Sequence, residues 1–344
     1  MTYSLPAART PDARSAPVMR WGILGPGWIA SRFVAALHKH TDQRVTAVGS
    51  RSAARAEEFA RQFDIPASHG AYADLLADPS VDIVYVCTPH TEHLAGALAA
   101  LDAGKHVLVE KPLGINADQA RTVAARSAET GLFAGEAMWT RFLPKFDVLQ
   151  QVLDAGILGE IRTVMADHGE FFTADHRIYD PSLAGGPMLD LGSYPVAFGQ
   201  WVLGRPSEIT ALGTPANDVL NGQVSALLRS TTGGHALLNT TIMSDTPTTA
   251  AICGVDAEVI IPGPFYQPGP FEIRLRDGAV LSYDEEHGSH EDGLHYSAVD
   301  AARRIGLGAN ESEVHPLADA VAALETMDAI RAQIGIVFPG EAVA

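Results

Sequence analysis

The sequence predicts an α/β protein in two parts: a parallel sheet covered by helices on both faces, then an α+β domain with a large, mainly antiparallel open sheet. Three observations carry this. Short apolar runs alternate with helical patterns up to about residue 140, as strands joined by helical crossovers do. Beyond that point strand-like runs follow one another without helices between them, which favours antiparallel pairing. The 344 residues, 47% of them apolar, suffice for two cores at ~150 residues per domain.

Residues 1–17 are rich in Ala, Pro and Arg and lack an apolar run. They read as a disordered arm, residues 1–18, and not as a secretory signal. The first domain is expected over 19–142, with strands at 20–24, 44–49, 82–87 and 106–109 and helices at 28–38, 53–63 and 92–103. Ser52 stands where an N-cap belongs. The second domain is expected over 143–344. It opens with a helix at 145–155 and a strand at 161–168, and a helix starts near the Gly-Gly pair within 185–203. Strand-like runs follow at 208–213, 223–230, 235–243, 250–261, 271–276 and 279–283. The last two flank Asp277-Gly278, a hairpin turn signal. Helical patterns at 294–305 and 316–334 close the chain.

Acidic residues number 41 and basic ones 24, a formal net charge of −17. Such a chain is a poor partner for nucleic acid or an anionic membrane, both of which call for Lys and Arg. No apolar run reaches the ~20 residues of a membrane span. Two cysteines, Cys87 and Cys253, outside any CxxC pair, build neither a disulfide framework nor a structural zinc site. A cytoplasmic protein is expected.

Gly25-Pro26-Gly27-Trp28-Ile29-Ala30 fits G-x-G-x-x-[GA], after a strand and opening a helix. Gly25 permits the tight turn, Gly27 a close approach to a pyrophosphate, and Ala30 close packing of helix on sheet. Free N–H groups at Trp28 and Ile29 would meet the phosphates. This is the pattern of a Rossmann dinucleotide-binding domain. Where such domains carry a ribose-binding carboxylate, ~20 residues on, this chain has Ser50, Arg51 and, one turn later, Arg55. Hydroxyl and guanidinium groups suit a 2′-phosphate. NADP is therefore the expected cofactor ahead of NAD.

Glu110-Lys111-Pro112 ends the strand at 106–109, which would set Lys111 at the carboxyl edge of a parallel sheet, where ligands bind. Taken alone, Lys111 reads more readily as a surface lysine. Asp190 and Tyr194, if on one helix, share a face at i, i+4. A tyrosine hydroxyl can exchange a proton with an alcohol or carbonyl, and a nearby cation such as Lys111 would lower its pKa. Their alternative is a helix-start charge and a core aromatic.

The glycine turn, Ser50-Arg51-Ser52, Glu110-Lys111-Pro112 and Gly185-Gly186…Asp190…Tyr194 occur in an order and spacing that resembles the Gfo/Idh/MocA-type oxidoreductases, from about residue 20 to residue 340. Residues 136–142 (EAMWTRF), Arg177-Ile178-Tyr179-Asp180 and residues 325–331 (ETMDAIR) resemble the branch of dimeric dihydrodiol dehydrogenase and NADP-dependent D-xylose dehydrogenase. The resemblance implies a catalytic lysine at Lys111, an acid/base at Tyr194 and an active-site carboxylate at Asp190. It implies cofactor contacts at Thr88, Pro89, His90, His93 and Glu110. Trp139 and Arg141 would serve cofactor and substrate, and Tyr179 the substrate; interdomain packing is the alternative for these three. It further implies a homodimer through the second-domain sheet, and hydride transfer between NAD(P) and a sugar or polyol: an aldose such as xylose or glucose, or a trans-dihydrodiol. Two rival functions stay open: NAD-dependent oxidation at C3 of a glycoside, and a non-catalytic NAD(P)-binding regulator. His287, His290 and His295 lie in a Gly-rich polar loop and read as solvated. No metal is expected.

Overall fold

The computed structural model describes residues 4–341. The first sheet is built from β1 (Arg20–Leu24), α1 (Trp28–His40), β2 (Arg44–Gly49), α2 (Ala53–Gln62), β3 (Ala67–His69), α3 (Tyr72–Ala77), β4 (Ile83–Val86), α4 (His93–Asp102), β5 (His106–Glu110), α5 (Ala117–Thr130) and β6 (Ala134–Ala137). Its six strands run parallel in the order β3-β2-β1-β4-β5-β6. Every residue of β4 and of β6 is buried, because helices cover both faces. Phe33 of α1 stacks on Tyr85 of β4 at 3.8 Å between ring centroids. The strand order reverses between β1 and β4, so the crevice for a ligand opens at their carboxyl ends.

The remainder comprises α6 (Pro144–Asp154), β7 (Ile161–Gly169), α7 (Pro187–Asp190), α8 (Ser193–Leu203), β8 (Pro206–Asn217), β9 (Leu220–Ser230), β10 (His235–Thr241), β11 (Ala250–Gly254), β12 (Ala257–Ile261), β13 (Phe271–Leu275), β14 (Val280–Tyr283), α9 (His295–Gly306) and α10 (Leu317–Ile334). The eight strands order as β14-β13-β12-β11-β7-β10-β9-β8. All pairs are antiparallel except β7 with β10. Burial along β9 alternates residue by residue near its start, as a sheet covered on one face requires.

Several expectations change in detail. The run at 250–261 is two strands of a hairpin, β11 and β12. Gly254 turns the corner where a Cβ would meet the Leu158 carbonyl at 2.0 Å. The helix expected within 185–203 is broken. Pro195 has no N–H to give Leu191, so it is accommodated only in a new first turn beginning at Ser193. At the break, a Cβ on Gly192 would come within 2.6 Å of the Met188 carbonyl.

The arm, expected to be disordered, is laid along the body over its described part; residues 1–3, like the last three of the expected second domain, lie outside the described residues. Arg9 pairs with Asp147 at 2.7 Å, Gln43 Nε2 donates to the Pro17 carbonyl at 2.8 Å, and Ala16 is buried against Val299 and Ala302. Backbone carbonyls and single charges hold it, and apolar composition does not register such contacts.

The chain end returns to the first sheet. Ala117 N, at the start of α5, donates to Asp328 of α10 at 2.9 Å, and Arg121 of α5 pairs with Glu325 at 2.5 Å. Arg331 reaches both Asp328 and Glu341, at 2.6 and 2.8 Å. On its other sides α10 packs on α8 and β8.

Candidate active site

The glycine turn leaves β1 through Gly25, whose φ of +101° belongs to the left-handed region. A Cβ there would stand 3.2 Å from the Cys87 carbonyl, so only glycine passes between β1 and β4. Gly27, just before α1, has nothing within 4 Å of where its Cβ would be. Beside Gly25 the Thr88 Oγ1 is buried without a hydrogen-bond partner among the described residues. The N–H groups of Trp28 and Ile29 open α1, where helix geometry leaves donors free. An open cradle, free amides and an orphaned hydroxyl fit a dinucleotide pyrophosphate. On the adenosine side, Ser50 is buried and its Oγ accepts from Ser52 N at 3.2 Å. Ser52 precedes α2 as expected, but its side chain forms no capping bond. Arg55 folds over the turn to donate to the Pro26 carbonyl at 3.2 Å, and Arg51 is exposed.

The carboxyl end of β5 delivers Lys111, 9% exposed. Its Nζ donates to Asp190 Oδ1 at 3.1 Å and to the Asp190 carbonyl, and lies 4.9 Å from the centroid of the Tyr194 ring. Asp190 also pairs with Arg177 at 3.2 Å. Burial alone would raise the Asp190 carboxyl, but Lys111, His90 and Arg177 overcome it and hold the group well below the usual carboxylate range. The break between α7 and α8 therefore does not separate Asp190 from Tyr194; both converge on Lys111.

The Tyr194 hydroxyl is bonded to Trp139 Nε1 at 2.9 Å. The indole N–H can only donate, so the tyrosine oxygen accepts and its own proton stays free. The expectation that Lys111 depresses the Tyr194 pKa does not hold. Burial, then Tyr266 and Glu110, push it well above its ordinary value, while the Lys111 ammonium is engaged by Asp190.

Other expected residues divide. His90 is half-buried within reach of the Asp190 and Lys111 charges, and burial pushes it down to about 3; Pro89 precedes it. His93 and Glu110 are placed otherwise than expected, Arg141 and Tyr179 are held by packing contacts, the alternative kept open for them, and two of the three loop histidines are not solvated. His93 is fully buried behind the turn, between the carbonyls of Thr88 and Pro112 at 3.0 and 2.8 Å, where it ties the loop after β4 to the loop after β5. Glu110 points beneath the site, accepting from the Tyr85 hydroxyl and from Lys111 N at 3.1 Å. Arg141 lies over the Trp201 ring at 4.2 Å, and burial pushes its guanidinium down to about 9. Tyr179 donates to the Phe172 carbonyl at 3.3 Å and packs in a small separate cluster with Ile178, Leu191, Leu220 and Ile242. Of the three histidines expected in solvent, only His287 is exposed; His290 is half-buried and His295 buried. Among the described residues no group of three or more His, Cys, Asp or Glu is arranged for a metal.

Four site residues escaped the sequence reading. Arg177 lies in the Arg177-Ile178-Tyr179-Asp180 motif, where the resemblance points to Tyr179. His168 and Tyr266 stack on one another at 4.7 Å, and Tyr266 stacks on Tyr194 at 4.3 Å. His290 joins them from the far loop. No spacing in the sequence links these positions.

Burial pushes the Glu110 carboxyl up to about 7, against the Tyr85 hydrogen bond and the Lys111 charge that pull it down. Folded chains then hold a proton that unfolded chains have released above the ordinary value of 4.5. Stability falls as pH rises through that window, by about 3 kcal/mol at most for a shift of this size. Glu110→Gln, whose amide still satisfies Tyr85 and Lys111 N, is expected to flatten the fall. Thermal midpoints from pH 5 to 8 measure it, and an unchanged slope contradicts the assignment.

Profiles of known families match both halves of the chain: an oxidoreductase family with an NAD-binding Rossmann fold over residues 19–136, and the GFO/IDH/MocA C-terminal domain over 146–260. Trans-1,2-dihydrobenzene-1,2-diol dehydrogenase of Bos taurus is 34% identical over 332 residues, covering 93% of this chain and 98% of that protein. A 3-ketoreductase from Actinomadura kijaniata, solved with NADP and TDP-benzene, superposes with a TM-score of 0.79 at 27% identity, over 92% of this chain and 98% of that one. It has also been solved as a lysine-to-alanine and as a tyrosine-to-phenylalanine variant. Levoglucosan dehydrogenase, solved with NADH and levoglucosan, shares the fold at a TM-score of 0.83 and 16% identity, over 92% of this chain and 97% of that one. With a dinucleotide turn, a lysine–aspartate–tyrosine cluster beside it and both halves matched, the chain belongs to the Gfo/Idh/MocA family of oxidoreductases.

Proposed function

We propose that this protein is an NADP-dependent dehydrogenase acting on a CH–OH group of a sugar or a cyclic diol, with an aldose such as xylose or glucose, or a trans-dihydrodiol, as substrate. The observation that carries the reading is the convergence of Lys111, Asp190 and Tyr194 beside the glycine turn. Gly25, Gly27, Trp28, Ile29 and Thr88 would hold the pyrophosphate, and Ser50, Arg51 and Arg55 a 2′-phosphate. The nicotinamide, when bound, accepts or gives the hydride. Lys111 stabilises negative charge on the substrate oxygen, and Asp190 orients its ammonium. Tyr194 exchanges the proton at that oxygen, with Trp139 donating to the phenol oxygen as it gains charge. The dihydrodiol dehydrogenase relatives support the cyclic diol, and the 3-ketoreductase solved with NADP supports carbonyl–alcohol chemistry with that cofactor.

The test is the absorbance of reduced nicotinamide with NADP and NAD against aldoses and trans-dihydrodiols. A protein that turns over none, in either direction, refutes the reading. Arg51→Ala is expected to lower kcat/KM with NADP by about 10- to 100-fold relative to NAD, the loss of one or two charge-assisted hydrogen bonds. An unchanged ratio contradicts the 2′-phosphate assignment.

The partner we propose is a second copy of this chain. Met165, Leu237 and Leu227 lie side by side across β7, β10 and β9 and are 43–47% exposed, an apolar stripe of the kind a homodimer covers. Among the described residues no helix is long and apolar enough to cross a membrane. With only two cysteines, both free, we place the protein in the cytoplasm.

A further inference from the structure

His290 opens the short helical turn His290–Asp292 that crosses from the second domain onto the first. The crossing is pinned. Lys39 of α1 pairs with Asp292 at 2.6 Å, Arg32 of α1 pairs with Glu291, and Ser289 and Asp292 close a reciprocal capping box. The following Gly293 passes so near Trp139 that a Cβ would come within 2.2 Å of the indole. The His290 ring is thus fixed in place by both domains.

Three aromatic rings surround it: Trp28 at 5.1 Å, Trp139 at 5.2 Å and Tyr266 at 6.1 Å between centroids. Trp28 belongs to the dinucleotide turn, Trp139 bonds the Tyr194 hydroxyl, and Tyr266 stacks on Tyr194. His290 therefore stands where the cofactor side and the reacting side of the cleft meet. Trp139 touches both groups: its Nε1 bonds the Tyr194 hydroxyl, and its ring meets the His290 ring. Burial, with the charges of Lys111 and Arg32, pushes the imidazole down to about 4; among the described residues its ring nitrogens make no hydrogen bond. A neutral imidazole keeps one donor and one acceptor nitrogen. A phenyl ring would pack against three aromatic rings equally well, whereas a half-buried imidazole loses hydration unless a ligand replaces it.

Building on the dehydrogenase reading, we propose that His290 is a specificity-determining residue. It exchanges a hydrogen bond with a ring hydroxyl beyond the reacting carbon and its immediate neighbour, and so favours a polyhydroxylated ring, an aldose, over a dihydrodiol whose far edge is hydrocarbon. The chemistry is that of a site built to bond a hydroxyl: analogues lacking the group leave the protein partner unpaired.

The test compares wild type, His290→Phe and His290→Gln on D-xylose and on trans-1,2-dihydrobenzene-1,2-diol, with thermal midpoints recorded. His290→Phe is expected to lower kcat/KM for xylose by about 10- to 100-fold, mainly through KM, and to leave that for the dihydrodiol within about threefold. His290→Gln, which retains a donor and an acceptor, is expected to recover part of the loss. Equal losses on both substrates would mean that the ring only supports the crossing segment, and would overturn the proposal. So would unchanged xylose kinetics in His290→Phe, or a wild type that uses the dihydrodiol and not the aldose. A wild type inactive on every polyol and diol overturns the dehydrogenase reading as well, and is thereby told apart from a failure of this proposal alone.

Discussion

Tyr194→Phe is expected to lower kcat by about a hundred- to ten-thousand-fold, the usual range for a positioned acid–base group. The folded protein should survive the change. The ring keeps its stack on Tyr266 and its place under the Lys111 ammonium, and only the bond from Trp139 Nε1 is lost, a cost of about 1 kcal/mol. The loss should appear in kcat and kcat/KM together, because the proton is exchanged only as the substrate oxygen gains or loses charge. Steady-state kinetics beside dinucleotide binding, read from tryptophan fluorescence, separates the two effects. Turnover within about fivefold of wild type, with binding intact, would assign the proton to another group. Because burial raises the phenol and so favours its protonated form, carbonyl reduction needs no prior ionisation of Tyr194, whereas alcohol oxidation does. The oxidative rate is therefore expected to climb with pH more steeply than the reductive one.

Lys111→Ala is the second large expectation, and it strikes activity and stability at once. Losing the cation that faces the substrate oxygen should lower kcat/KM by about a hundred- to a thousand-fold, as for one donor to a developing oxyanion. It also strips Asp190 of the partner at 3.1 Å, leaving the exposed Arg177 as the remaining ion-pair partner of a half-buried carboxylate. Breaking one side of such a half-buried pair costs about 1–3 kcal/mol. The two losses can be separated. In Lys111→Ala/Asp190→Asn the uncompensated charge is gone, so stability should recover while activity does not; the double-mutant cycle gives the coupling. The pH dependence has a definite sign. Asp190 is held below its unfolded value, so its stabilisation is present above the unfolded pKa and is lost as pH falls through the folded one. In Lys111→Ala that acid-side loss should shrink. A variant as stable as wild type and still active would remove Lys111 from the mechanism.

The elements that sequence pattern reveals well are those whose signal is local. The glycine turn, β1, α1, β4 and β5 are contiguous apolar runs or amphipathic helices with punctuation at their ends. Other elements were overlooked although their signals were present. Asn116 caps α5 by accepting from Gln119 N at 3.0 Å, and Gly131 ends it in the left-handed conformation; both residues are ordinary boundary markers. Strand β3 is three residues long, with no residue fully buried, and offers almost nothing to read. At the site, Lys111, Asp190 and Tyr194 were legible because an ordered set of motifs contains them. His168, Tyr266 and His290 were not, because they meet only when β7, the loop after β12 and the loop before α9 fold onto one another. Glu110 and His93 illustrate the opposite error. They sit inside site motifs yet face away, one bonding Tyr85 and the other two carbonyls, because strand alternation and helix phase decide direction and a motif does not.

The stitching of α10 to the start of α5 bears on protein engineering. The nucleotide-holding half is not a cassette: cut out before α6, it would lose the carboxylates of Glu325 and Asp328 that hold Arg121 and the Ala117 amide, and bare the flank of α5 to water. Chimeras that graft a foreign substrate half onto this one must carry the last helix along, or redesign the surface it covers.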